Sequence, residues 1–331
     1  MTRLLRAGVV GLGRMGRHHV RVLGQLDDVE LVGVVDPSQE ARRAVTGTEL
    51  LTTVRELVDR RIDLCVVASP TVTHSEIGLQ LAEAGVATLI EKPLAHDSKA
   101  AQTIVETFER NGVLGCVGHI ERFNPALQAM RRRLDAGELG SLYQVVTRRQ
   151  GPFPDRIVDS GVVMDLATHD IDLTAWVTRS SYRSISARTA HRSGRPHEDL
   201  VSVVAELSSG IIVTHLVNWL SPMKERVTVV TGERGCFVAD TVTADLTYYE
   251  NGTEPVEWDR MASFRGVSEG DMTRYAIPKR EPLLNELTHF VAAARGEPSD
   301  AVTLREGLTT VRVAEIVRES ASSGQTVQVQ A

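Results

Sequence analysis

The first 36 residues constrain this chain more than any other stretch. An apolar run over 4–10 enters Gly11-Leu12-Gly13-Arg14-Met15-Gly16, and a second apolar run ends at Asp36. A strand that passes through a tight glycine turn into a helix aims that helix's first N–H groups, and the positive end of its dipole, at an anion. Gly11 suits the turn, Gly13 the close approach of a pyrophosphate, and Gly16 the packing of helix on strand. A carboxylate at the end of the second strand, about 20 residues on, accepts both hydroxyls of an adenosine ribose and repels a 2′-phosphate. The pattern therefore predicts a dinucleotide cradle, with Asp36 favouring NAD over NADP. A merely glycine-rich loop would not have strand, helix and acid in register.

The chain's 331 residues exceed what one core usually organises, and 42% apolar content supplies two. Net charge is -6 with arginines scattered throughout, so no nucleic-acid partner is expected. No apolar run approaches the roughly 18 residues that span a bilayer, and the first strand begins too early for a signal peptide, so no membrane association is expected. Cys65, Cys116 and Cys236 lie in or beside apolar runs and read as reduced thiols of a cytoplasmic protein. The ten histidines have neither Cys partners nor ligand spacing, so no metal site is expected. The adjacent His18 and His19 point about 100° apart on a helix and read as solvated surface. Lysine is scarce: Lys92 follows an apolar strand, in Glu91-Lys92-Pro93, whereas Lys99, Lys224 and Lys279 sit near helix starts and turns.

Up to residue 121, apolar runs over 4–10, 29–36, 64–68, 87–91 and 113–118 alternate with helical stretches over 15–26, 54–59, 74–84 and 97–111. That rhythm predicts an α/β Rossmann domain over 1–121, with a parallel, doubly wound sheet whose ligands bind beyond the strands' carboxyl ends. Asp36, Ser69-Pro70-Thr71, Glu91-Lys92-Pro93 and His119 fall at those ends. From 122 to 331 the pattern becomes α+β. Helices over 125–136 and within 160–177 accompany strands over 142–150, 184–191, 200–207, 211–219, 226–231, 236–240 and 246–250. Ser208-Ser209-Gly210 and Asn251-Gly252 supply turns. This predicts a large, mainly antiparallel sheet for substrate binding and oligomerisation, followed by helices over 282–294 and 304–321 and a strand over 327–329.

The helix within 160–177 has two readable faces. Val162, Leu166, Leu173 and Val177 recur at helical spacing as a buried stripe, while Asp165, His169 and Asp172 share an adjacent face and Asp170 turns away. An Asp one turn before a His can fix its tautomer and stabilise the imidazolium of a general base. The same spacing also suits a surface ion pair, and the helix alone does not decide between them.

Gly11-x-Gly13-x-x-Gly16, Ser69-Pro70-Thr71-x-x-His74, Glu91-Lys92-Pro93, Arg122-Phe123-Asn124-Pro125 and Asp165-x-x-x-His169 occur in the order and spacing of the Gfo/Idh/MocA oxidoreductases, which the chain resembles along essentially its whole length. The resemblance implies that Lys92 contacts the substrate hydroxyl and the nicotinamide ribose, that Asp165 and His169 form the catalytic pair, and that the Pro70 loop lies along the cofactor. Cofactor-side candidates are then Gly11, Gly13, Arg14, Met15, Gly16, Asp36, Ser69, Pro70, Thr71, His74, Glu91 and Lys92. The segments 118–125, 149–156 and 218–222 resemble the nucleotide-sugar branch that includes UDP-N-acetylglucosamine 3-dehydrogenases, which implies oxidation of C3 of a UDP-N-acetyl sugar. His119, Arg122, Arg149 and Arg156 are the substrate-side candidates, guanidinium forks being suited to a diphosphate. Beside such a sugar dehydrogenase stand an NAD-dependent glycosidase using transient C3 oxidation, a dehydrogenase of free sugars or inositol, and a non-catalytic NAD-binding regulator. A regulator should lack the Lys, Asp or His, and all three are present. A homodimer or homotetramer is expected, by family resemblance and from an open sheet.

Overall fold

The computed structural model describes residues 3–43, 45–154, 160–252 and 268–330. They fall into two compact units, 1–123 with 281–315, and 124–280 with 316–331. The change of unit falls between Phe123 and Asn124, and the C-terminal stretch 281–315 belongs to the first unit.

In the first unit, β1 (Leu5–Val10), α1 (Arg14–Leu23), β2 (Val29–Val35), α2 (Gln39–Arg43), β3 (Glu49–Leu51), α3 (Val54–Val58), β4 (Leu64–Val67), α4 (His74–Glu83), β5 (Ala87–Glu91), α5 (Ser98–Asn111) and β6 (Gly115–Gly118) alternate as expected. The strands form a six-stranded sheet in the order β3-β2-β1-β4-β5-β6, and every pair is parallel. The order reverses beside β1, and ligand crevices open at such a switch. Strands that lie between two helical layers must be apolar on both faces, which is why β4 is buried along its whole length. Asp97 caps α5 by accepting the N–H of Ala100, and Gly112 ends it in the left-handed region.

The second unit contains α6 (Pro125–Asp135), β7 (Leu142–Pro152), α7 (Thr168–Thr178), β8 (Tyr182–Ala190), β9 (Leu200–Leu207), β10 (Ile212–Asn218), β11 (Leu220–Gly232), β12 (Gly235–Asp240), β13 (Asp245–Gly252) and β14 (Ser268–Arg274). Helices α8 (Pro282–Ala294) and α9 (Leu304–Ser323) and strand β15 (Val327–Gln328) follow. Among the described residues its nine strands lie in the order β14-β13-β12-β11-β7-β10-β9-β8-β15, antiparallel except where β7 meets β10. Alternation sets the faces: Val145, Thr147 and Arg149 of β7 and Val213, His215 and Val217 of β10 are buried on the inner one.

Within the first unit α8 packs against α1. Leu283, Leu287 and Phe290 join Val22, Leu23, Ala7 and Val9 in one core.

Candidate active site

The dinucleotide turn is built as its glycines require. A Cβ on Gly16 would lie 1.8 Å from the Gly11 carbonyl oxygen, and Gly11 itself sits at φ +91 against the backbone of Ala68 and Ser69. Gly13 differs, because a Cβ there would meet nothing within 4 Å. It faces open space at the start of α1, where no side chain caps the helix. This is the cradle a pyrophosphate needs, and the residues fit the cofactor. Arg14 is exposed and Met15 packs partly into the core. Asp36 Oδ2 accepts the N–H of Leu12 at 2.7 Å and Oδ1 that of Ser38 at 2.8 Å, so the turn itself aims the carboxylate.

The other strand ends of this unit carry a second polar layer. Thr71–Thr73 form a 3-10 turn after the exposed Pro70, and the Ser69 and Thr73 hydroxyls lie 2.7 Å apart. His74 is buried, with Nδ1 3.1 Å from the Pro93 carbonyl and Nε2 3.0 Å from that of Ser69, so it braces the Pro70 loop against the loop after β5. Burial draws its imidazole below the ordinary value, against the pull of those carbonyls. Lys92 is half-buried and precedes a cis peptide to Pro93. His119 and Arg122 are both buried, Arg122 Nη1 donating to Glu306 at 2.6 Å. Burial raises the Glu306 carboxyl, but the Arg122 charge and bonds from Arg122 and Thr303 outweigh it and leave Glu306 below the ordinary carboxylate range.

In the second unit the helix within 160–177 opens with a π-helical turn, Val163–Ala167, before α7. From Gly161 to Thr174 every residue is buried except Asp165 and His169. Val162, Leu166, Leu173 and Val177 form the expected inner stripe. Asp170 is buried, turned away from Asp165 and His169 as the spacing predicts. Asp172 corrects the helical-wheel expectation: it is buried too instead of sharing their accessible face, on a helix whose π turn departs from 100° per residue. Asp170 meets Arg149, whose Nε donates to its Oδ2 at 2.7 Å, both side chains being almost wholly inside. Arg149 is thus held within the unit rather than presented at its surface, while Arg156 lies outside the described residues. Deeper still, His215 lies between the hydroxyls of Thr147 and Tyr182, 2.7 Å and 2.8 Å away. Burial first, and the Arg149 charge second, depress its imidazole to about 3, so it stays neutral.

Comparison with known proteins agrees with both halves of this picture. Residues 5–119 match the model described as oxidoreductase family, NAD-binding Rossmann fold, and residues 127–238 match the GFO/IDH/MocA C-terminal domain. The chain belongs to the Gfo/Idh/MocA family. As such it is an NAD-dependent oxidoreductase. It is 30% identical to inositol 2-dehydrogenase 2 of Saccharopolyspora erythraea, over 98% of this chain and 96% of that protein. It is 34% identical to the UDP-N-acetylglucosamine 3-dehydrogenase of Acidithiobacillus ferrooxidans, over 53% of this chain and 54% of that one. Among solved structures, GenD2 from gentamicin A biosynthesis in complex with NAD superposes with a TM-score of 0.83 at 25% identity, covering 100% of this chain and 98% of that one.

For this Gfo/Idh/MocA oxidoreductase, Asp36→Ala should weaken NAD by about ten- to a hundredfold, the scale of lost charge-assisted hydrogen bonds, and NADP by less. Fluorescence titration with both dinucleotides checks this. Equal or tighter binding of NADP by the unmodified protein would overturn the preference.

Two polar residues escaped the sequence reading. His19 is fully buried, not solvated surface: with Val22 and Leu23 it falls at i, i+3 and i+4 of α1, a spacing that marks the inner stripe. Glu286 lies among Leu283, Leu287 and Phe290 of α8, is 2% exposed, and has no hydrogen-bond partner among the described residues on either oxygen. Burial, and then the charge of Glu91, push its carboxyl well above the ordinary range.

A raised carboxyl costs stability as pH climbs from the unfolded-state value towards the folded-state value, because folding must then take up a proton. Relative to Glu286→Gln, the unmodified protein should therefore lose about 1.4 kcal/mol per pH unit across that window. Denaturant melts of both proteins from pH 4 to 8 read this, and parallel curves would refute it.

Proposed function

We propose that this enzyme oxidises a secondary hydroxyl of a sugar, C3 of a UDP-linked N-acetyl sugar, to the keto-sugar. The observation that carries this is the accessibility of Asp165 and His169 alone on an otherwise buried helical stretch. A buried helix that opens a single acid and a single imidazole serves chemistry rather than packing. His169 takes the hydroxyl proton onto an imidazole nitrogen, and Asp165 steadies the imidazolium that results. Lys92 contributes positive charge that favours the developing alkoxide. NAD, when bound, supplies the hydride acceptor. Ser69, Pro70 and Thr71 border the cofactor in this proposal, with His74 and Glu91 behind them.

The nucleotide sugar is supported by the segments 118–125 and 149–156 and by the Acidithiobacillus relative. Arg156 is the arginine assigned to the diphosphate, with His119 and Arg122 on the substrate side. One observation favours a second reading, an inositol. Arg122 and Arg149 are engaged by Glu306 and Asp170, and a cyclitol needs no cationic fork. The Saccharopolyspora relative, matched along nearly its full length, is named for that substrate.

NADH fluorescence during incubation with UDP-N-acetylglucosamine, N-acetylglucosamine, glucose and myo-inositol separates these readings. NADH should form with the UDP-sugar. Activity confined to myo-inositol or glucose would overturn the nucleotide-sugar assignment, and aglycone release from a glycoside without net NADH would replace the dehydrogenase by a glycosidase.

A homo-oligomer and a cytoplasmic location belong to the same proposal. The sheet's outer face carries the paired row Val204, Thr214, Val146, Val229 and Val238, none of them fully buried, which suits a second copy of the chain. All three cysteines are free thiols, as a reducing compartment keeps them. No helix among the described residues is long and apolar enough to cross a membrane.

A further inference from the structure

In the first unit a single carboxylate bonds both the helix that begins at the dinucleotide turn and the backbone of Lys92. Glu91 ends β5 with its side chain turned inward, 8% exposed. Its Oε1 accepts the His19 Nε2–H at 2.7 Å, and its Oε2 accepts the backbone N–H of Lys92 at 3.2 Å. His19 lies on α1, one turn beyond Gly16, with no exposed surface. Gly118, the register partner of Glu91 on β6, makes room for the carboxylate: a Cβ there would stand 3.3 Å from its Cδ. Burial raises the Glu91 carboxyl, but the bond from His19 and the neighbouring positive charges outweigh it, so Glu91 is ionised. A buried carboxylate is tolerated only with its partners fixed, so this one holds its geometry tightly.

We propose that His19 is a positioning residue for Lys92. Acting through Glu91, it fixes the peptide that carries the amine to the helix that opens the dinucleotide turn. The inference rests on the role given to Lys92 above, where a misplacement of about 1 Å costs up to a hundredfold in rate.

Two substitutions of similar bulk separate positioning from packing. A Gln side chain sets its amide nitrogen near the place of Nε2 and keeps the bond to Glu91, whereas Asn reaches only to the place of Nδ1. His19→Asn should lower kcat about tenfold and shift KM for NAD much less, and His19→Gln should restore most of the loss. Turnover is read with whichever of UDP-N-acetylglucosamine and myo-inositol reduces NAD.

A second readout needs neither turnover nor cofactor. The sequence has only four lysines, Lys92, Lys99, Lys224 and Lys279, so acetylation of the NAD-free protein followed by peptide mass spectrometry carries three internal controls. Lys92 should label several times faster in His19→Asn, as its peptide is released from a half-buried setting. It should return to the unmodified rate in His19→Gln, with the other three unchanged. Equal losses in both variants, or unmodified kcat and labelling in His19→Asn, would overturn the inference. Lys92→Ala completes the test. If it leaves turnover intact, the role of Lys92 falls, and labelling still judges the link to His19. If His19→Asn costs the same tenfold once Lys92 is already gone, the inference about His19 falls alone.

Discussion

Lys92→Ala and His169→Ala should each lower turnover by roughly two to four decades, the scale of a general base or a group that stabilises developing negative charge. NAD affinity should change little in either variant, because the dinucleotide turn is left intact. The two losses should differ in their pH behaviour. Hydroxide substitutes for a missing base as pH rises, so His169→Ala should recover part of its deficit in alkaline buffer, whereas the charge lost in Lys92→Ala has no replacement from solvent. Stopped-flow measurement of NADH formation at several pH values reads both effects, and near-normal turnover in either variant would refute that residue's assignment.

The parallel sheet was legible because each buried strand is a short apolar run and each helix between them is amphipathic. The pattern placed β5 at its observed bounds, and α8 and β9 likewise. It failed where the backbone departs from ideal periods. β3 is a three-residue edge strand with two exposed positions, too short to show alternation. β11 continues through Ser221-Pro222-Met223, where the proline and a register shift between Leu220 and Glu225 hide it. The π turn at Val163–Ala167 leaves no trace in hydrophobic spacing, and beyond it Asp172 is buried while Asp165 and His169 stay accessible. Arg149 carried a signal that was open to use. Successive strand residues face opposite ways, so Arg149 had to lie on the side of Val145 and Thr147 while Arg148 faced out. The glycine turn was readable from residue type and spacing, as was the placement of Asp165 and His169 on one helix face, while the role given to that pair came from the family resemblance and not from the helix. The buried polar contacts of His19, Glu286 and Arg149 depend on which elements the fold brings together, and spacing gives only the face.

Asp170→Ala should destabilise the protein by about 3–5 kcal/mol, because breaking a buried ion pair by removing one member is strongly destabilising. Arg149 is 3% exposed and Asp170 1%, so neither charge is screened by water. An arginine that served mainly to grip a diphosphate would behave otherwise: Arg149→Ala would raise the Michaelis constant and leave stability unchanged. The structure favours the opposite outcome, a large loss of stability with the Michaelis constant little altered in whatever protein remains folded. Arg149→Met combined with Asp170→Leu separates charge from volume, since apolar residues of similar size often replace a buried pair at little cost. That double variant should regain at least half of the stability lost in Asp170→Ala. Asp170 follows His169 directly on the helix, so the double variant should also show whether the pair does more than hold the fold. If stability returns and turnover does not, the Arg149–Asp170 bond sets the pose from which His169 acts. If Asp170→Ala melts within about 1 kcal/mol of the unmodified protein, the Arg149–Asp170 pair does not hold the fold as its burial requires.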